Sequence, residues 1–131
     1  MPPPSLRILY VEDNPLVRDI TCEMLSESSR QVVAVASAEE ALSIFEPNAF
    51  DVVITDISLP AMSGLDLTRH ILGRVPAVPV IIATGYNLEV DVSNWGPRVR
   101  AISKPFDHPQ LEDLLREVCG DLAGSSPTPT V

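Results

Sequence analysis

The stretch Val52-Val53-Ile54-Thr55-Asp56-Ile57-Ser58-Leu59-Pro60 most narrows what this chain can become. A short apolar, β-branched run stops at a carboxylate, and a proline follows four residues later. Such a run reads as a buried strand. A buried strand that ends at an acid suggests an aspartate held at the carboxyl edge of a parallel sheet, the edge where open α/β sheets place their ligands. Taken alone, Asp56 could equally open an ordinary turn, so the rest of the chain has to decide.

The chain has 131 residues, which suits one domain, and 45% of them are hydrophobic, enough for a core. Only 5% are aromatic, so that core is aliphatic. The formal net charge of -9 argues against nucleic acid as a direct partner, because phosphate binding needs basic clusters. Eight arginines accompany a single lysine, Lys104. Met1-Pro2-Pro3-Pro4-Ser5 has neither the basic nor the apolar region of a signal peptide. The longest nearly apolar stretch, Val75 to Ala83, is too short to span a bilayer. These features predict a cytoplasmic protein with no membrane partner. Cys22 and Cys119 lack metal-ligand spacing and read as small core residues rather than a disulfide.

Residues 1–5 and 123–131 read as disordered tails around one domain over 6–122. Within it, strand-like runs alternate with helical patterns, which argues a parallel sheet with helices on both faces. The strands are expected at Leu6–Val11, Gln31–Ala36, the opening stretch, Pro79–Ala83 and Val99–Ser103. The first helix starts at Asp13 or Asn14 with Pro15 in its first turn and runs to about Ser28. Its expected apolar face is Leu16, Val17, Ile20, Met24 and Leu25. Ser37 and Glu40 have capping-box spacing ahead of a second helix that Pro47 and Asn48 end. A third starts around Ser63-Gly64, with Leu65, Ile71 and Leu72 inward. The segment from Asn87 to Asn94 is a poor fourth helix, short or mobile. Asp107 caps a fifth, whose apolar stripe is Leu111, Leu114, Leu115, Val118, Cys119 and Leu122.

Parallel strands deliver their carboxyl ends to one edge, and here four of the five end in polar groups: Glu12 with Asp13, Asp56, Thr84 and Lys104. Strand alternation alone does not produce that pattern. Clustered carboxylates at ~5 Å repel by on the order of 3 kcal/mol per pair at an effective dielectric of ~20. A divalent cation relieves such repulsion, and all-oxygen ligation suits Mg²⁺, with Mn²⁺ as the alternative. A carboxylate beside that cation can act as a nucleophile towards phosphorus. A hydroxyl and an ammonium near the oxygens would stabilise the transferred group.

The chain resembles the response-regulator receiver domains of two-component signalling. The resemblance rests on Val11-Glu12-Asp13-Asn14, Asp56-Ile57-Ser58-Leu59-Pro60, Met62-Ser63-Gly64-Leu65-Asp66, Ala83-Thr84-Gly85 and Lys104-Pro105-Phe106, in the family's order. It implies a flavodoxin-like doubly wound sheet of strand order 2-1-3-4-5 with five helices. It implies Asp56 as phosphoacceptor, with Mg²⁺ held by Asp13, Asp56 and the Ser58 backbone carbonyl, and Glu12 acting mainly through water. Thr84 would hydrogen-bond the phosphoryl group, Lys104 would pair with it, and Lys104-Pro105 would be a cis peptide. The implied partners are a histidine kinase or histidine phosphotransfer protein as donor, facing the first helix and the loop beside Asp56, and a downstream protein target. A monomer or weak dimer is expected, with no enzyme activity beyond its own phosphorylation and dephosphorylation.

One departure stands out. Where the family usually carries an aromatic three residues before the lysine, this chain has Ala101. Coupling of Thr84 to a fifth-strand aromatic is therefore in question. Tyr86 is the expected substitute, or a shield that sets the acyl phosphate's lifetime together with Ser58. Stand-alone receivers with an Ala-Thr-Gly-aromatic stretch share the departure. His70 and His108 read as surface groups, and Trp95 as either a loop anchor or a partner contact. Two competing readings are an adapter that never takes phosphate and a phosphatase with an Asp nucleophile. The phosphatase wants a second acid where Ser58 stands, and a flavodoxin would not place Glu12-Asp13 in its phosphate loop.

Overall fold

The computed structural model describes residues 6–26, 30–47, 49–85 and 95–119. Their elements run β1 (Leu6–Val11), α1 (Pro15–Leu25), β2 (Arg30–Val35), α2 (Ala38–Ile44), β3 (Val52–Asp56), α3 (Gly64–Arg74), β4 (Val80–Thr84), β5 (Val99–Ser103) and α4 (His108–Cys119). The strands form one sheet of order β2-β1-β3-β4-β5, and every pairing is parallel. This is the expected doubly wound order. The expected helix at 87–94, Tyr86 and both tails lie outside the described residues, so α4 is the fifth helix of the sequence reading.

Two cores lie on opposite faces of the sheet. On one face Leu9, Val11, Val53 and Ile82 pack with Ala41 of α2 and Leu67 and Ile71 of α3. On the other, Ile8, Ile54 and Ile81 pack with Leu25 of α1 and Leu111, Leu115 and Val118 of α4. Alternate strand residues point to opposite faces, so a strand covered on both sides must be apolar throughout. β3 and β4 accordingly bury every residue.

The helix starts are set by side chains the sequence makes visible. The Asn14 Oδ1 accepts from the Leu16 and Val17 amides, and Pro15 occupies the first turn. Ser37 and Ser63 accept from the Glu40 and Asp66 amides. Asp107 and Gln110 exchange two bonds, at 2.9 and 2.8 Å. Several boundaries differ from expectation: β4 runs Val80–Thr84 rather than Pro79–Ala83, and β2 ends at Val35 rather than Ala36. α1 stops at Leu25, because Ser26 is extended (φ -70°, ψ 123°) and turns both its amide and hydroxyl back to the Cys22 carbonyl. β2 starts one residue early, at Arg30, and α2 ends at Ile44 with Phe45 already extended.

The apolar face expected for α1 is also corrected. Thr21 and Leu25 are its buried residues, whereas Leu16 and Ile20 are 67% and 52% exposed. The five apolar positions cover too wide an arc for one contact face. In α3, Ile71 is buried as expected, but Leu67 and Thr68 join it while Leu65 and Leu72 are half-buried. Trp95 packs against the first core, with the Arg69 guanidinium 5.1 Å from its ring centroid, which makes it a loop anchor. Cys22 and Cys119 are free thiols packed against the second core, and burial pushes the Cys119 thiol up to about 12. His70 and His108 lie at the surface, as expected.

Candidate functional site

Register brings the acids together. Val11 of β1 lies opposite Thr55 of β3, so Glu12 and Asp56 leave the sheet side by side. Asp56 in turn lies opposite Ala83, and Thr84 opposite Ser103, which puts Thr84 and Lys104 just beyond the same level. β1 and β3 flank the point where the chain reverses its winding direction across the sheet, and the crevice opens there. One carboxylate oxygen each from Glu12, Asp13 and Asp56 lie within 4.8 Å of one another.

Each group is held differently. Glu12 is 2% exposed. Its amide donates to the Val35 carbonyl (3.1 Å), and its Oε2 accepts from the Asn14 amide (3.2 Å). Asp56 is 7% exposed, and Asp13 lies open to solvent. The Lys104 Nζ donates to Glu12 Oε1 at 2.8 Å and to Asp56 Oδ2 at 3.1 Å. Burial works to lower the Lys104 pKa, but the bonds to the two carboxylates and their charges outweigh it and raise it above the ordinary lysine value. Lys104 is therefore an ammonium at neutral pH. The Lys104–Pro105 peptide is cis, as the resemblance implies.

The loop after Asp56 is held close. The Gly64 amide donates to the Ile57 carbonyl (2.9 Å), bringing the start of α3 onto the end of β3. A Cβ at Gly64 would lie 2.0 Å from the Asp56 carbonyl oxygen, so that approach requires glycine. Ala61, in the same loop, takes a left-handed backbone (φ 64°). Ser58 is exposed two residues beyond Asp56. The Thr84 hydroxyl donates to the Ile102 carbonyl of β5 (3.3 Å), and Ala101 is exposed on that strand.

Glu12, Asp13, Asp56 and Lys104 are thus brought into one cluster, with Thr84 beside it and bonded to β5. One side chain escaped sequence reasoning. The Arg18 Nη1 donates to the Glu12 carbonyl at 2.8 Å. Only its spacing of one helical turn from the cap residue Asn14 hinted at that reach. Three carboxylates against one ammonium leave an excess of negative charge and a set of hard oxygen donors, which fits a small divalent cation such as Mg²⁺.

Comparison with known proteins agrees with this arrangement. The chain is 37% identical to the response regulator protein FleR of Pseudomonas aeruginosa over 125 residues, spanning 92% of this chain but only 26% of FleR. It is 32% identical to the protein PilH of the same organism, across 90% of this chain and 98% of PilH. Among solved structures, the receiver domain of a sensor histidine kinase from Pseudomonas aeruginosa superimposes with a TM-score of 0.77 at 30% identity, over 88% of this chain and 98% of that one. That domain carries a magnesium ion coordinated in its active-site cleft. The model of the response regulator receiver domain matches residues 8–116, and with the greater part of its length so matched the chain belongs to that family.

Proposed function

We propose that this receiver domain takes a phosphoryl group onto Asp56 from a phosphohistidine donor, with Mg²⁺ as cofactor. The observation that carries the reading is Lys104, whose one ammonium bridges Glu12 and Asp56 beside Asp13. A carboxylate oxygen of Asp56 attacks phosphorus. The bond from phosphorus to the donor imidazole nitrogen breaks as the bond to Asp56 forms, and the imidazole leaves with its electron pair. Lys104 can turn from the carboxylate to a phosphoryl oxygen without leaving the crevice, because it already reaches Asp56. It thereby offsets charge that develops on the transferred group. Thr84 supplies a hydroxyl once it releases the Ile102 carbonyl. Glu12 and Asp13, with Asp56 and the Ser58 carbonyl, would hold Mg²⁺, which supplies charge neutralisation between the carboxylates and the phosphoryl oxygens.

The donor's approach has a surface to use. Leu16 and Ile20 stand exposed on α1. Beside them a groove of about 520 Å³, lined by Val17, Ile20, Met24, Pro105 and Phe106, leads to Lys104. A histidine-bearing helix laid along α1 would bury those apolar groups and bring its phosphorus to Asp56. The donor is a histidine kinase or a histidine phosphotransfer protein. Output is docking on a protein target or onward transfer to a second histidine. Tyr86 is assigned the shielding of the acyl phosphate, together with Ser58. A monomeric or weakly dimeric domain in the cytoplasm suits this role.

The test is labelling with acetyl phosphate and Mg²⁺, read by phosphate-affinity electrophoresis. Wild type should shift, Asp56→Ala should not, and chelation should abolish the shift. A wild type that fails to label, or an Asp56→Ala that still does, overturns the proposal.

A further inference from the structure

We infer that Arg18 is a positioning residue for the cation site, acting through the peptide that joins Glu12 to Asp13. The inference rests on the functional reading above. Among the described residues no side chain or amide bonds the Asp13 carboxylate, which is exposed. The place of Asp13 therefore depends on its backbone. Glu12 is fixed on its amide side by the Val35 carbonyl and on its side chain by Asn14 and Lys104. Its carbonyl, the group that sets the plane of the Glu12–Asp13 peptide, is held by the Arg18 Nη1 at 2.8 Å. Without that bond the plane can rotate about the flanking single bonds, and the Cα–Cβ direction of Asp13 swings with it. Arg18 can reach because it lies one turn into α1, whose Arg18 amide donates to the Asn14 carbonyl. Arg18 is half-buried.

Charge and geometry predict opposite outcomes, which makes the inference testable. A guanidinium near three carboxylates repels a metal cation, so if Arg18 were only a nearby charge its removal would tighten cation binding. If it orients the loop, its removal loosens binding despite the lost repulsion, and groups behind metal ligands commonly carry 10–100-fold in affinity.

The experiment is calorimetric titration of the metal-free protein with Mg²⁺, repeated with Mn²⁺ by electron paramagnetic resonance, on wild type, Arg18→Ala, Arg18→Gln and Arg18→Lys. The expected result is a roughly tenfold or larger loss of affinity in Arg18→Ala. The melting temperature in chelator should stay close to wild type, and Arg18→Lys should recover part of the affinity through its ammonium. Unchanged or tighter binding by Arg18→Ala overturns the inference while leaving the phosphoacceptor reading intact. Should Arg18→Ala not fold, the same comparison is made with Arg18→Gln, which keeps a donor on a shorter stem and should bind more weakly than Arg18→Lys. A wild type that binds neither ion overturns the functional reading, and this inference with it.

Discussion

Replacing Asp56 by asparagine should stabilise the metal-free protein. Oxygens of Asp56, Glu12 and Asp13 lie no more than 4.8 Å apart. At an effective dielectric of ~20, each like-charged pair at that distance costs about 3.5 kcal/mol. Asp56→Asn removes two such pairs. Against this it gives up the ionic part of the Lys104 contact, which at 3.1 Å is on the order of 5 kcal/mol on the same scale. The amide oxygen still accepts from Lys104, so the hydrogen bond survives, and Lys104 keeps its full charge for Glu12. The balance favours the variant by roughly 1–2 kcal/mol once solvent at the exposed Asp13 is allowed for. In a domain of this size that is a rise of about 5 °C in melting temperature. The assay is thermal unfolding followed by circular dichroism in low salt with chelator. Adding Mg²⁺ should raise the wild type by mass action and the variant by less, reducing or reversing the gap. High salt should also shrink it. An equal or lower melting temperature for Asp56→Asn in chelator would refute the repulsion argument, because the attraction to Lys104 would then exceed both repulsions.

Three further outcomes follow from the same structure. Gly64→Ala should lower the melting temperature by the equivalent of about 3 kcal/mol and slow acetyl-phosphate labelling of Asp56, since the added methyl meets the Asp56 carbonyl and no rotamer relieves it; a variant as stable and as readily labelled as wild type would show that the loop yields. Ile20→Asp should leave acetyl-phosphate labelling unchanged while cutting transfer from a phosphohistidine donor by tenfold or more, about 1.4 kcal/mol of lost docking; equal loss with both donors would move Ile20 from the docking surface to the fold. Acid stability should depend on Glu112, which accepts two bonds of 2.7 Å from the buried Arg30. Those bonds, opposed by burial and aided by nearby positive charge, hold the Glu112 carboxyl below its ordinary value. A lowered carboxylate contributes stability that is present above the unfolded value of 4.5 and lost as pH falls through the folded one. Glu112→Gln should therefore lower stability at pH 7 and flatten the loss of stability below pH 4.5, as urea midpoints across pH would register.

Much of this was legible before any coordinates. β3 and β4 could be read because a strand covered on both faces has to be apolar throughout, and a run such as Val80-Ile81-Ile82-Ala83 has few other homes. Helix starts were legible for a local reason: Asn14, Ser37, Ser63 and Asp107 each bond an amide two or three residues on. Helix ends were not, because Ser26 and Phe45 carry no residue-type signal for leaving the helix. The α1 face failed on a different ground. Periodicity marks which residues are apolar, but Leu16 and Ile20 are apolar and turned outward, and only the sheet fixes which arc it covers. At the site, residue types and strand ends foretold Glu12, Asp13, Asp56 and Lys104. Arg18 left only the hint of its spacing from Asn14, since its contact is to a main-chain carbonyl and carries no complementary side chain to search for.

Lys104 is the chain's one lysine, and its amine spans from the end of β1 to the end of β3 while rooted after β5. Apart from a terminal α-amine, a reagent that acylates amines therefore finds a single lysine side chain in these 131 residues, and it is the one inside the crevice. Its reaction rate measures how firmly the two carboxylates hold that proton-bearing nitrogen. The sequence has, in effect, reserved one chemically distinct handle for its own centre, so that the state of the crevice can be followed in an untagged protein by the mass added at one residue.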